Sequence, residues 1–418
     1  MFQTEHSEPN IPNRCSRQSC VHISLNYLVF KDATGVWPST EEWEFDNVGT
    51  LEEAVKSCSN PTDFIEREDI MAFSNLLEGL LCPDAMRRIT PGQALRHDFI
   101  TMCHMTDNMD TSSYVQAAYE LMNVSPPYDL DEYENTLSSE QDVFSRDEDK
   151  DLKQEEIISN KSTQYLVLDF IGEGCFGKVA KCLNLKTDKT TAIKIFKDIK
   201  EHKEEVKMLE QLRALDPEKN NLLEYIDSFI IQDVPYVTFE MLDTSLWDFV
   251  LQRRAPLTPK EIRPIARQLL VAFEALKSIG LIHTDLKPDN VMFVNHKDEP
   301  FKVKLIDFGL AMPASEVKTG MIMQPCGYRA PEVNLGLPIC EAIDMWGLGC
   351  TLAFLFFVIY LFRLIYITFV FIYFFRGILR VLRFPPTIQR CLRRIRFLWE
   401  GRGGRSRLCE LVTKRKSK

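Results

Sequence analysis

The chain has 418 residues, 45% hydrophobic and 26% charged, with 18 Gly and 21 Pro; that excludes a collagen-like or wholly disordered protein and leaves room for one large two-lobed domain with extensions or for two to three ordinary domains. The net charge of −10 hides a division, because residues 376–418 carry 14 Lys/Arg against 2 Asp/Glu and residues 1–375 therefore sum to −22, which argues against nucleic-acid binding as the main activity. The 12 Cys include no Cys-x-x-Cys pair, so neither a zinc module nor a disulfide framework is expected; residues 1–16 lack a signal peptide's apolar stretch, pointing to cytoplasm or nucleus.

In residues 1–122, Ile70, Phe73, Leu76, Leu77, Leu80 and Leu81 recur with helical period and stop at Cys82-Pro83-Asp84. Thr90-Pro91 offers an N-cap and a first-turn proline, which predicts a second helix running to about His97. Residues 123–160 read as a solvated linker, since positions 129–156 hold 12 acids and 3 bases. Strands are expected over 165–171, 179–185 and 191–196, then a helix over 204–215 and strands over 222–229 and 235–241. Thr258, Pro259 and Glu261 mark the start of a helix whose apolar stripe is Ile262, Ile265, Leu269, Phe273 and Leu276. Strands first and helices afterwards imply an α+β, bilobal fold with a β-rich N-lobe and a helical C-lobe.

Gly172-Glu173-Gly174-Cys175-Phe176-Gly177 is a glycine-rich turn. A dinucleotide fold would have it open a helix and place an acid about 20 residues on. Here a strand-like segment follows, and the residue 22 positions after Gly172 is Lys194. A glycine turn between strands lets backbone amides approach phosphates, and a lysine on the third strand adds a point charge. A plain glycine hairpin is the competing reading for the turn in isolation. Further motifs decide against it: Ala192-Ile193-Lys194 with Glu205 11 residues later, His283-Thr284-Asp285-Leu286-Lys287-Pro288-Asp289-Asn290, Asp307-Phe308-Gly309 and Ala330-Pro331-Glu332. These are protein-kinase signature parts in the expected order.

Phosphoryl transfer asks the protein for positioning and charge rather than covalent chemistry. Asp285 is expected to orient the substrate hydroxyl and Lys287 to offset charge on the transferring phosphate. Asn290 and Asp307 would hold Mg²⁺ as hard oxygen ligands. Glu205 would hold Lys194 by an ion pair, and His283 would brace the catalytic loop.

Phe239-Glu240-Met241-Leu242, Leu246-Trp247-Asp248-Phe249, the catalytic loop and Leu335-Gly336-Leu337-Pro338 before Glu341-Ala342-Ile343-Asp344-Met345-Trp346 resemble the homeodomain-interacting protein kinases. The resemblance covers roughly residues 162–353 and implies ATP-dependent phosphorylation of Ser/Thr. It implies an ATP site formed by Ile171, Gly172, Glu173, Gly174, Cys175, Gly177, Val179, Ala192, Lys194, Phe239, Glu240, Leu242 and Asn290, with Phe239 as gatekeeper and residues 240–242 as the adenine-contacting hinge. Protein substrates, transcriptional regulators among them, are the implied partners, without direct DNA binding. Two departures stand out: Thr284 replaces the arginine that usually precedes the catalytic aspartate, and Ile322 stands where relatives autophosphorylate a tyrosine. Both point to an activation segment that is independent of phosphorylation, or to one that no longer activates.

After Trp346 the kinase pattern gives way, beyond Ala353, to a Phe/Ile/Tyr-rich run. The missing C-lobe parts resemble residues further up the chain: Asp69-Ile70 through Leu81, Asp84, Arg87-Arg88-Ile89-Thr90-Pro91 and Ala94-Leu95-Arg96-His97-Asp98-Phe99. In kinases the arginine at the Arg88 position pairs with the glutamate at the Glu332 position. The expectation is that residues 20–105 pack in cis beneath residues 162–353 as a circularly permuted C-lobe, joined by a linker of r.m.s. span about 35 Å. The alternative is an incomplete lobe to which a fused fragment docks poorly. The division expected is 1–122 C-lobe-like fragment, 123–160 linker, 161–357 kinase domain and 358–418 apolar segment with basic tail. The apolar run from Leu348 to Phe375 is long enough to cross a bilayer. Arg363 near its middle costs about 3 kcal/mol there, and a basic tail held on the cytosolic side would put the kinase on the side without ATP. An extended C-lobe helix with a tail of no selected structure is preferred, with a membrane anchor as the alternative. The function expected is Ser/Thr phosphorylation, the alternative a pseudokinase scaffold that binds ATP without efficient transfer.

Overall fold

The computed structural model describes residues 63–124, 154–160, 162–174 and 177–357, together with Leu51, Val55 and Pro61. One lobe is a six-stranded antiparallel sheet in the order β1-β2-β3-β4-β6-β5, formed by β1 (Ile157–Ser159), β2 (Gln164–Gly174), β3 (Gly177–Asn184), β4 (Lys189–Phe196), β5 (Tyr225–Ile231) and β6 (Val234–Glu240). Its helix follows β4; in chain order the helices before it are α1 (Phe64–Leu80), α2 (Pro91–Leu95), α3 (Asp98–Thr101) and α4 (Ser113–Met122), which makes it α5 (Ile199–Leu212).

Several boundaries differ from expectation. The stretch read as linker ends in a strand: Ile157 and Ile158 pair with Leu166 and Tyr165, and Ile158 is buried beside Tyr165 and Val167. Two β-branched residues at the end of an acidic run suffice to add an edge strand once one of them has an apolar face to cover. Helix α5 begins at Ile199 because the Asp198 side chain accepts the Lys200 amide hydrogen at 2.6 Å; the charged first turn conceals this start in the periodicity. β5 begins at Tyr225, since Leu222 pairs instead with Leu305 of the other lobe.

The helical lobe contains α6 (Leu246–Arg253), α7 (Pro259–Ser278), α8 (Pro331–Leu335) and α9 (Ala342–Phe357), with the short pairs β7 (Leu281–Ile282) with β10 (Met312–Pro313), and β8 (Val291–Phe293) with β9 (Val303–Leu305). α7 starts with the expected capping box of Thr258 and Glu261. α1 packs on α9 and α7, while α2 and α4 pack on α7. Phe73, Leu77 and Leu80 share one core with Leu269, Phe273, Leu352 and Phe356, and the Phe73 ring lies 5.2 Å from that of Phe356. The second predicted helix stops at Leu95 rather than His97, because His97 is extended and caps α3 through its own ring nitrogen.

Among the described residues no helix is long and apolar enough to cross a membrane. The first part of the apolar run forms α9, in which every residue from Ile343 to Phe356 is buried; the rest of the run and the basic tail lie outside the described residues.

Candidate active site

β3, β4 and β6 carry the sheet-lobe side of the site. Their register sets Val179 opposite Lys194 and Ala192 opposite Phe239, which lines up four of the residues expected around ATP. Gly174 pairs with Gly177 where β2 turns into β3, and Cys175 lies outside the described residues. A Cβ on Gly177 would meet the Ile195 carbonyl oxygen at 1.9 Å, so only glycine lets the turn lie this close to β4. Ile171 is exposed beside this turn, whereas Phe239 and Leu242 are buried deeper along the sheet.

Lys194 is the centre of the charge arrangement. Its Nζ donates to both Glu205 oxygens at 2.9 and 2.7 Å and to Asp307 Oδ1 at 3.3 Å, which joins β4, α5 and the segment after β9. Burial opposes the ammonium charge, but the Asp307 and Glu205 carboxylates prevail and raise the Lys194 pKa. Burial and the neighbouring Asp307 raise Glu205, with Lys194 opposing them. Asp307 is also pushed up by burial, yet Lys194 and the other cations near it hold it below the usual carboxylate range. The carboxylates share one ammonium, and the added proton goes first to Glu205, whose side chain is 3% exposed against 32% for Asp307.

The helical-lobe side is built around Asp285. Lys287 Nζ donates to Asp285 Oδ2 at 2.8 Å, and Asn290 Nδ2 donates to the same oxygen at 2.8 Å and to the Asp285 carbonyl at 2.9 Å. With its amide nitrogen so engaged, Asn290 keeps Oδ1 as a neutral oxygen ligand; Asp307 Oδ2 receives no hydrogen bond among the described residues. A carboxylate oxygen and an amide oxygen suit Mg²⁺. The loop is braced from below by His283, whose Nδ1 accepts the Asp285 amide hydrogen at 3.3 Å while Nε2 donates to the Ile306 carbonyl at 3.0 Å.

Three contributors have no assigned role in the sequence reading. Asp344, buried on α9, accepts the backbone hydrogens of His283 and Thr284 at 2.8 and 2.9 Å. Lys304 on β9 is 1% exposed and ion-pairs with Glu240 at 2.7 Å and with Glu218; the Glu240 side chain is thus committed to the protein, and only its backbone is left for a ligand. A Cβ on Gly309 would stand 2.8 Å from Glu205 Oε2. A lysine in a strand reading Val303-Lys304-Leu305 resembles any surface residue, because alternation sets it on the face opposite Val303 and Leu305. The two departures also have a place: Thr284, at φ 66°, donates its hydroxyl to the Leu310 carbonyl at 2.6 Å, and Ile322 is 68% exposed.

A sheet lobe and a helical lobe joined through Lys194 and Asp307 make this the protein kinase fold, and residues 165–366 match the protein kinase domain family. Within that class the chain is similar to homeodomain-interacting protein kinases. It is 43% identical over 213 residues to homeodomain-interacting protein kinase 1 of Mus musculus, a match covering 50% of this chain and 18% of that protein. The protein of that name from Caenorhabditis elegans is 42% identical over 210 residues, covering 49% of this chain and 25% of that protein. Homeodomain-interacting protein kinase 4 of Homo sapiens is 40% identical over 203 residues, covering 47% of this chain and 33% of that protein. The chain therefore matches one third or less of the length of each of these relatives.

Proposed function

We propose that the chain is an ATP-dependent protein serine/threonine kinase whose site residues lie within residues 161–357. The observation that carries this is the convergence of Lys194, Glu205 and Asp307. It supports a nucleotide site in which the glycine turn covers the phosphates and Lys194, held by Glu205, offsets their charge. Val179, Ala192, Phe239 and Leu242 line the adenine end together with Ile171 and the backbone of Glu240. Asn290 Oδ1 and Asp307 Oδ2 would hold Mg²⁺, which would supply positive charge against the phosphates. Asp285 accepts the hydrogen of the substrate hydroxyl, and Lys287 beside it stabilises charge on the transferred group. Substrates are protein hydroxyls in the cytoplasm or nucleus; the relatives' name makes homeodomain proteins the first partners to try.

The test uses the full chain with γ-labelled ATP, Mg²⁺ and a generic basic protein. Transfer to Ser/Thr is expected, abolished by Asp307→Asn and by Lys194→Met. Nucleotide binding without transfer above that of the Asp307→Asn variant would replace this reading with the scaffold.

A further inference from the structure

We infer that residues 63–122 are an integral part of the helical lobe, supplied from the N-terminal side of the catalytic segment, so that the lobe is circularly permuted and closed in cis. The kinase reading gives the lobe its name; the packing stands without it.

Among the described residues, two charges in the catalytic segment have their charge partners only in the N-terminal segment. Arg263 on α7 is fully buried, pairs with Asp69, donates Nε to the Phe99 carbonyl at 2.6 Å and lies over the Phe99 ring. Glu332, opening α8, is 3% exposed and receives both Arg88 Nη1 and Nη2 at 2.6 and 2.9 Å. Without residues 63–122 each would be a buried charge with no counterpart, a state proteins avoid. Apolar packing agrees with the charges. α9 is buried on all sides, which requires cover on every face, and α1 supplies one of those covers. At Gly349 a Cβ would stand 2.8 Å from Leu81 Cδ2 and 3.0 Å from Leu80 Cβ, so the two segments meet where only a glycine fits.

The occupant of this face is the chain's own segment rather than a second copy. Described structure stops at Val124 and resumes at Gln154. Residues 125–153 join the two segments covalently, and a link of that length keeps the local concentration at about a millimolar. The arrangement reaches the site as well. Arg88 also donates to the Ala342 carbonyl at 2.8 Å, so one side chain clamps the starts of α8 and α9, just after the 3₁₀ turn Cys326–Tyr328 that ends the activation segment.

The test is to place a specific protease site within residues 125–153 of the full chain, cut it, and measure the particle by size exclusion with light scattering. The two fragments are expected to elute together with the mass of one chain. Separation of the fragments, or an uncut protein of twice that mass, would overturn the inference. Gly349→Leu in the cut protein is expected to release the N-terminal fragment, and retention of that fragment would show that the docking face is a different one. Hydrogen exchange on uncut wild type gives a second reading: α1 amides should be protected to within about tenfold of those in α9, whereas α1 exchanging as an open chain would refute integral packing. None of these readouts needs catalysis, so an inactive enzyme would leave the result intact.

Discussion

Arg88 and Glu332, 244 positions apart, form a two-pronged ion pair at 2.6 and 2.9 Å in which the side chains are 0% and 3% exposed. Removing one member leaves the other charge buried, at a cost of about 3–5 kcal/mol, whereas replacing both by apolar residues is far less damaging. Arg88→Met should therefore lower the free energy of unfolding by that amount, and Arg88→Met with Glu332→Met should recover part of it. Recovery will be incomplete, because Arg88 also satisfies the Cys82 and Ala342 carbonyls. Denaturant titrations of the three proteins decide this, and equal losses in both variants would contradict it.

Gly309 is where the charge arrangement has no spare room. A methyl group there would stand 2.8 Å from Glu205 Oε2 and 3.4 Å from Asp307 Oδ1. Gly309→Ala is expected to push Glu205 away from Lys194 and displace the ammonium. A displacement near 1 Å at a reacting centre costs about 10²-fold in rate. kcat/KM should fall by that order with little change in melting temperature, and a variant retaining full activity would show that the Lys194–Glu205 contact is dispensable.

Lys304 should matter to nucleotide affinity through the hinge. Its Nζ meets both Glu240 oxygens at 2.7 and 2.9 Å, and Glu240 Oε1 in turn accepts the Glu224 amide hydrogen at 2.6 Å. The end of β6 is tied to β9 in this way. Lys304→Met is expected to destabilise the fold by about 1.5–3 kcal/mol, the range for hydrogen bonds to charged groups. It should also raise the KM for ATP about tenfold more than it lowers kcat, because a slackened hinge weakens binding before chemistry. An equal loss in both parameters would place Lys304 outside the hinge.

The elements most legible in the sequence are those with local signals. Thr258-Pro259 with Glu261 announces the start of α7, and the period of Ile70, Phe73, Leu77 and Leu80 announces α1. Motif order singles out Lys194, Glu205, Asp285, Asn290 and Asp307, and the coordinates bring Lys194 to Glu205 and Asp307 while Asn290 and Lys287 gather on Asp285. What was not legible depends on partners far away in sequence. Arg263 lies within a helix that reads as ordinary, and its burial follows only once Asp69 is beside it. Lys304 looks like a strand surface residue until Glu240 and Glu218 close over it. The strand at Ile157–Ser159 is masked by the acidic run before it, since local composition outweighs three residues until a sheet edge is available.

Thr284 offers a test of whether the activation segment is held without phosphate. Its hydroxyl donates to the Leu310 carbonyl at 2.6 Å, a direct neutral tie between the catalytic loop and the residue after Gly309. Thr284→Val removes the donor at nearly constant volume and leaves that carbonyl unpaired, at a cost of about 1–3 kcal/mol. Activity should fall at least tenfold, and phosphatase treatment of wild type should change nothing. Wild-type activity lost to phosphatase would show that a phosphate, rather than this hydroxyl, holds the segment.

His97 should make the N-terminal segment sensitive to mild acid. Its Nδ1 accepts the Phe99 amide hydrogen at 3.2 Å, and Nε2 faces Asn75 Oδ1 at 2.9 Å. Only a neutral ring protonated at Nε2 satisfies both, and a second proton at Nδ1 would set donor against donor. Burial lowers its pKa, with the neighbouring Asp98 charge opposing and His104 adding to the shift. The folded value therefore lies below the unfolded value of about 6.5, and between the two the unfolded chain binds more protons. The stabilisation is complete above about pH 6.5 and is lost as pH falls through the folded pKa. His97→Asn keeps a neutral side-chain oxygen to cap α3 and cannot titrate. Between about pH 7 and pH 5.5 the melting temperature of wild type should fall further than that of His97→Asn, and parallel curves would show that the His97 cap does not couple to protonation.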